Sequence, residues 1–202
     1  MKKTLIKILI YTYCITIHDS LADHGTGIDK TSESRHPQEN EQLTRLFNQD
    51  QIARKLSHDE IDWNVLNHKD KNRRGKVLKM LAEGRIKTSK DFYHAALIFQ
   101  HGNNVEDIRL AHALTTIAAT LAEDKSKANW LKAATWDRLM MNLNQPQWYG
   151  TQFVKDPSGN WSLYDIDPDI ISDQQRIDWS VRVIEESKAL EKSLNNTKEG
   201  KH

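Results

Sequence analysis

The stretch from Asp91 to Phe153 constrains the fold more than any other, because alanine and leucine recur through it at helical spacing. Such a pattern is typical of helices that pack closely against one another. A few ionisable residues interrupt it: His94, His101, His112 and the pair Asp137 and Arg138. Because an ionisable group is costly to bury alone, several of them in one compact helical unit predict a shared polar network or site.

Start and stop signals divide this stretch into three helices. Thr88 or Ser89 caps the first, Gly102 closes it, and Asn104 caps the second. The predicted helices span residues 90–101, 105–121 and 126–143. Their short connections predict an antiparallel arrangement.

The flanking sequence adds two further helices before this unit, a β-hairpin after it and a last helix. Apolar spacing predicts helices over residues 39–56 and 69–83, the second strongly basic and solvated on its charged face. Turn residues at 156–160 predict a hairpin near residues 151–165. Ser172 with Gln175 forms a capping box for the last helix. The expected fold is mainly α, an antiparallel helical bundle-like domain with a small β-hairpin.

The N-terminal residues have the pattern of a secretory signal peptide. Lys2 and Lys3 precede an apolar run, and Ser20, Leu21 and Ala22 supply small residues suited to cleavage. We therefore expect a signal peptide at 1–22 and a periplasmic or secreted protein. A membrane anchor is the alternative, but the run is shorter than the roughly 20 residues that span a bilayer. A flexible segment at 23–38, a single helical domain at 39–194 and a disordered tail at 195–202 complete the predicted organisation.

Charge and cysteine content narrow the classes of partner. Lys and Arg number 29 against 28 Asp and Glu, so net charge gives no support for binding nucleic acid. The single cysteine, Cys14, lies in the predicted signal peptide. The mature chain would therefore have no thiol chemistry. Because cleavage also removes the N-terminal apolar run, we expect no membrane span in the mature chain.

Helix geometry predicts that three of the ionisable residues meet. At about 1.5 Å per residue, His94, His112 and Asp137 lie at one level of an up-down-up unit. Three interpretations stay open: a His/His/Asp metal site, a His–Asp acid/base pair, or a buried network in which Asp137 and Arg138 pair locally. No zinc-binding spacing such as HExxH is present, so no metal ligands are assigned.

A polar segment follows the third helix. Gln147, Tyr149, Thr151 and Gln152 offer neutral donors and acceptors that suit a sugar, peptide or carboxamide ligand. The same residue types also lock a turn through hydrogen bonds between side chains and backbone. Both interpretations stay open.

Several short motifs between Leu43 and Arg176 resemble those of an uncharacterised bacterial family of domains of unknown function. They are DQxxR at 50–54, QH at 100–101, DR at 137–138 and QxYGTQ at 147–152. The family has no established activity, so the resemblance implies positions but no reaction. It implies that six residues line one pocket. It also implies that His94 and His112 occur less widely in the family than His101. The six are Asp50, Arg54, His101, Asp137, Arg138 and Gln152.

The sequence therefore predicts an exported helical protein with one polar pocket, without specifying a reaction, substrate or cofactor. The candidate catalytic residues are His101, Asp137 and Arg138. The candidate ligand-binding residues are Asp50, Arg54, His94, His112, Gln147, Tyr149 and Gln152. Such a pocket suits a small molecule or acid/base chemistry. The alternative is a non-catalytic helical module that binds a protein or envelope partner.

Overall fold

The computed structural model describes residues 37–56 and 60–199 of the chain. Within these ranges it confirms a mainly helical fold with one small antiparallel hairpin. The helices before the hairpin are α1 Glu41–Ile52, α2 Trp63–Ala82, α3 Ser89–Gln100, α4 Val105–Leu121 and α5 Ser126–Asn142. The remaining elements are β1 Phe153–Lys155, β2 Trp161–Leu163, α6 Asp173–Asp178 and α7 Ile184–Glu199. The expected signal peptide and nearly all of the predicted flexible segment lie outside the described residues.

Helices α3, α4 and α5 form the predicted antiparallel unit. The Thr88 side chain accepts a hydrogen bond from the backbone N–H of Asp91, and the Asp91 carboxylate accepts one from the backbone N–H of Thr88, which makes a capping box at α3. Asn104 caps α4 by accepting from Asp107 N at 2.7 Å. The Ser89 hydroxyl donates to the Ala118 carbonyl at 2.9 Å, so the beginning of α3 lies beside the end of α4.

Helix α3 runs through the centre of the core. Every residue from His94 to Gln100 is buried. Helices α1, α2, α4 and α5 contribute the apolar side chains around it, including Leu43, Leu46, Val77, Met80, Leu114 and Leu131. Each such side chain contributes about 1.5–3 kcal/mol when fully removed from water. A polar side chain on α3 therefore needs a partner within the protein.

Helix α1 ends earlier than the sequence predicts. The expected helix continues to Leu56, but α1 stops at Ile52, and both of these side chains are exposed. The Arg54 guanidinium turns back and donates to the Asp50 carbonyl at 3.2 Å, which satisfies a free carbonyl of the last turn. The polar contacts of Asp50 and Arg54 thus replace the apolar packing that the spacing indicated.

Helix α2 is longer than predicted and its basic face is not wholly solvated. It begins at Trp63, where Asp62 caps it by accepting from Asn64 N at 3.0 Å and Val65 N at 3.1 Å. Arg73 on this helix is only 6% exposed. The expected solvated basic face is therefore wrong for Arg73.

The hairpin has the predicted position, and Phe153 pairs with Leu163 across it. The predicted last helix is divided into two. The Ser172 and Gln175 capping box begins α6, but Ser180 adopts φ 58°, in the left-handed region, and ends it. Val181 N donates to the Arg176 carbonyl at 2.8 Å across this break.

Helix α7 covers the open edge of β2. The Asn195 side chain accepts from Trp161 N at 2.7 Å and donates to Trp161 O at 2.8 Å. These contacts satisfy edge groups that would otherwise need another strand. Helix α7 continues to Glu199, past the predicted domain boundary at 194. Across residues 37–56 and 60–199, no helix is both long and apolar enough to cross a membrane.

Candidate functional site

The His101 and Asp50 side chains form a buried dyad between α3 and α1. The Nδ1 atom of His101 lies 2.8 Å from Asp50 Oδ2. The other ring nitrogen, Nε2, is buried without a hydrogen-bond partner among the described residues. An imidazole that is oriented through one nitrogen and free at the other has the arrangement of a general base or ligand-binding group.

The end of α3 fixes the position of His101. His101 is the C-cap of the helix, and the N–H of Gly102 donates to the Phe99 carbonyl at 2.8 Å. A Cβ atom at Gly102 would lie 2.2 Å from the Cβ of Asp107, so only glycine allows this close approach of α4. Gly102 therefore holds the end of α3 against the beginning of α4.

Arginines surround the dyad. Arg54 reaches Asp50 Oδ1 at 2.8 Å and Asp70 Oδ2 at 2.6 Å. Arg73 pairs closely with Asp70 and lies 3.6 Å from Asp50 Oδ1. The carboxylates thus join α1, α2 and α3 into one network of charges.

Asp70 and Arg73 are not among the residues predicted from the sequence. A signal for them exists, because Leu66, Asp70, Arg73, Val77 and Met80 recur at the spacing of one helix face, and all five are buried. An Asp and an Arg inside an apolar stripe indicate a buried pair. Because α2 also carries many lysines, its charged residues were all assigned to a solvated face.

The charge states in the dyad follow from its surroundings. Burial raises the pKa of Asp50, but His101, Arg54 and Arg73 together outweigh it and hold the pKa below its usual value. Burial lowers the pKa of His101, against the opposing effect of Asp50. At neutral pH Asp50 is a carboxylate and His101 is neutral, so His101 Nδ1–H donates and Nε2 carries a lone pair.

Arg138 of α5 reaches the same end of α3. Its Nη2 donates to the Gly102 carbonyl at 3.4 Å, while Nε and Nη1 are buried without a partner among the described residues. The predicted local pair between Asp137 and Arg138 is therefore wrong. The two side chains leave α5 in different directions because Asp137 is bound to another segment.

Asp137 holds the segment that follows α5. Its Oδ1 accepts from Trp148 N at 2.8 Å and Tyr149 N at 2.9 Å. Its Oδ2 accepts from Thr151 N at 3.0 Å and the Thr151 hydroxyl at 2.7 Å. Burial raises the pKa of this carboxyl, and the donors act against that effect. Asp137 thus anchors the loop 148–151.

The glutamines of the QxYGTQ segment complete this loop. Gln147 Nε2 donates to the carbonyls of Gln152 at 3.0 Å and Tyr164 at 2.8 Å. Gln152 Nε2 donates to the Ala134 carbonyl at 3.2 Å, and Gln100 Nε2 donates to the same oxygen at 3.3 Å. Of the two interpretations of this segment, these contacts favour the turn locked by hydrogen bonds, and they join it to the end of α3.

Tyr149 completes the packing beneath the loop. Its ring lies 5.2 Å from that of Trp179, and the side chain is buried. Burial raises the pKa of its hydroxyl, and Asp137 adds to the increase. The predicted ligand-binding residue Tyr149 is thus part of a small core between α5 and the chain after α6.

The predicted meeting of His94, His112 and Asp137 does not occur. His94 Nδ1 lies 3.3 Å from the Thr44 hydroxyl of α1, and its ring stacks on Phe47. His112 Nδ1 lies 3.0 Å from the Thr135 hydroxyl of α5. The three side chains contact different neighbours, since Asp137 binds the loop 148–151. Neither histidine belongs to the cluster around His101.

The buried position of His94 predicts a loss of stability in acid. Burial lowers its pKa from 6.5 to about 4, with Lys90 adding to the effect and Asp91 and Glu39 opposing it. Below pH 6.5 the unfolded chain binds a proton that the folded chain takes up only near pH 4, so stability falls through this window. Between pH 7 and pH 4, the free energy of unfolding should fall by about 3 kcal/mol less in His94→Gln than in the native protein. Urea unfolding at pH 7 and pH 4 checks this; equal losses in both proteins would contradict it.

No three His, Cys, Asp or Glu side chains within the described ranges come together in a way that could hold a metal ion. Comparisons with the models of known protein families, with curated proteins and with solved structures found no match.

Four of the predicted residues, Asp50, Arg54, His101 and Arg138, converge on the end of α3. We call these four the α3-end cluster. Asp137 and Gln152 hold the adjacent loop instead.

Proposed function

We propose that the α3-end cluster is a small-molecule site in which His101 Nε2 accepts a hydrogen bond or a proton from a bound ligand. The observation that carries the proposal is the free, buried Nε2 of an imidazole whose other nitrogen is bound to Asp50 at 2.8 Å. Most buried polar atoms in proteins have a hydrogen-bond partner, so an unpaired one needs an explanation, and a bound ligand would supply the partner. The signal-like residues 1–22 support export of the protein to the periplasm or the medium.

The chemistry available at this atom is proton transfer. A ligand X–H would give its proton to His101 Nε2, which produces X⁻ and an imidazolium ion. The Asp50 carboxylate stabilises that imidazolium through Nδ1–H and keeps the ring in the required tautomer. Asp50 and Arg54 are therefore positioning residues in this proposal, and His101 is the residue that contacts the ligand.

The second candidate is a helical module without a reaction, which binds a protein or envelope partner. The ion pairs among Asp50, Arg54, Asp70 and Arg73 favour it, because they tie three helices together as a structural network does. That network gives no reason for the free nitrogen of His101. The ligand site is preferred on this ground.

His101→Asn tests the proposal, because the Asn amide can still donate to Asp50 while Nε2 is lost. We expect the variant to unfold within about 1 kcal/mol of the native protein, since Nε2 has no partner to lose. Thermal unfolding is then screened against small hydroxy acids, carboxylic acids, phosphates, amino acids and sugars. At least one compound with a donor group that reaches Nε2 should raise the melting temperature of the native protein by several degrees, and His101→Asn should lose the part of the increase that this donor contributes.

His112→Asn is the matched control, because it removes a histidine on α4 that bonds to Thr135 instead. The control should keep the ligand response. If every compound that stabilises the native protein stabilised His101→Asn equally, the proposed site would be contradicted. Large destabilisation by His101→Asn, with no compound active on the native protein, would favour the structural network.

A further inference from the structure

The Arg138 guanidinium is a buried cation without a carboxylate partner among the described residues. Its side chain belongs to a residue that is 7% exposed. Of its five N–H bonds, the one on Nε and the two on Nη1 have no acceptor. Within residues 37–56 and 60–199, the guanidinium has one polar contact, the long one to Gly102 O at 3.4 Å. A buried charge left in this way is strongly unfavourable.

The neighbouring arginines are all compensated, unlike Arg138. Arg54 and Arg73 pair with Asp50 and Asp70, and Arg74 Nε lies 3.0 Å from Asp107 Oδ2. The carboxylate nearest to Arg138 in sequence, Asp137, has both oxygens occupied by the loop 148–151. The described charges at this end of α3 therefore leave one positive group in excess.

We infer that Arg138 binds the oxyanion group of a small ligand, a carboxylate or a phosphate, at the end of α3. Oxyanions have only acceptor atoms on their charged group, which is what the free Nε–H and Nη1–H bonds require. Arg54 has 19% of its side chain exposed, against 5% for His101 and none for Asp50, so the ligand would enter past Arg54. The inference rests on the proposed function, since it names the class of ligand that His101 would meet.

The electrostatics of the site agree with this assignment. Burial lowers the pKa of Arg138 to about 10, and the positive charge of Arg54 contributes. Arg138 stays charged at neutral pH despite this cost. An anion between the two guanidinium groups would remove their repulsion and supply the missing acceptors.

Arg138→Met tests the inference, because methionine fills similar space without a charge. The control is Arg109→Met, which changes an exposed arginine of α4. Thermal unfolding of the native protein and of both variants is measured at pH 7. Sodium acetate or sodium phosphate is compared with sodium chloride at equal ionic strength. We expect 50 mM acetate or phosphate to raise the melting temperature of the native protein and the control by about 4 °C relative to chloride. Arg138→Met should show no such increase, and the larger response of acetate or phosphate identifies the oxyanion.

Two further measurements test the anion site and the role of His101 separately. The Arg138 Nε–H resonance of the native protein should shift on titration with acetate or phosphate, which requires no variant to fold. The melting temperature in lactate is then compared with that in propionate, which lacks the lactate hydroxyl. Lactate should stabilise the native protein more than propionate does. In His101→Asn the two compounds should stabilise the protein equally. Oxyanion responses that are equal in Arg138→Met and native protein, or an unmoved Arg138 resonance, overturn the inference. If lactate and propionate stabilised the native protein equally, while Arg138→Met lost both responses, the role of His101 would be overturned and the anion site would stand.

Discussion

Replacing Asp137 with alanine is expected to lower the free energy of unfolding by about 4 kcal/mol. The carboxylate accepts from three backbone N–H groups and one hydroxyl, all between Trp148 and Thr151. Removing it leaves these donors in a buried site with no acceptor and frees the loop from α5. Urea unfolding followed by far-UV circular dichroism measures the change.

Asp178→Ala is the matched control for Asp137→Ala. Asp178 is exposed on α6 and bonds only to the exposed Gln174 side chain among the contacts that the structure shows for it. Its replacement should change stability by less than about 0.5 kcal/mol. A similar small effect for Asp137→Ala would show that the loop does not depend on this carboxylate.

Asp50→Asn is expected to cost about 3–5 kcal/mol, because the change removes the charge that Arg54 and Arg73 share. The substitution keeps the size of the side chain, so the loss measures electrostatics and hydrogen bonding rather than packing. One oxygen would also become an NH₂ group that faces existing donors. Equilibrium unfolding in urea at pH 7 gives the cost.

Glu41→Gln provides the comparison, since Glu41 pairs with Arg45 on the exposed side of α1. Exposed pairs contribute little because water and salt screen them, so this change should cost less than about 1 kcal/mol. If Asp50→Asn cost no more than Glu41→Gln, the buried network would not stabilise the fold.

The helices were predictable from local chemistry. Capping side chains at Thr88 and Asn104 fix where α3 and α4 begin, and such signals are carried by residues adjacent in sequence. The break at Ser180 was not predictable, because a serine in the left-handed region carries no glycine or proline signal. Tertiary packing of Val181 in the core beside α5 accompanies that break.

The site was predicted only in part. Helical rise alone predicted that His94 and Asp137 would meet, but the direction and the partner of each side chain depend on the neighbouring element. His94 points to Thr44 of α1, and Asp137 to the loop 148–151. The sequence left the loop residues open as a ligand surface or as a turn locked by hydrogen bonds, and the bonds from the loop backbone to Asp137 favour the locked turn.

The dyad joins residues 51 positions apart in sequence, Asp50 and His101. No periodic pattern in one helix predicts a contact between α1 and the end of α3. The motifs at 50–54 and 100–101 singled out both residues, but their contact emerges only from the packing of α1 on α3. Asp70 and Arg73 complete the site from a third helix, where the stripe of buried residues was the available signal.

Nitrogen-15 NMR of the imidazole rings at pH 7 tests the central claim most directly, with His101→Asn used to assign the His101 signals. The account predicts a neutral His101 ring with its proton on Nδ1 and an unprotonated Nε2. A proton on Nε2, or on both nitrogens, would contradict it, because that ring would have no free lone pair to offer a ligand.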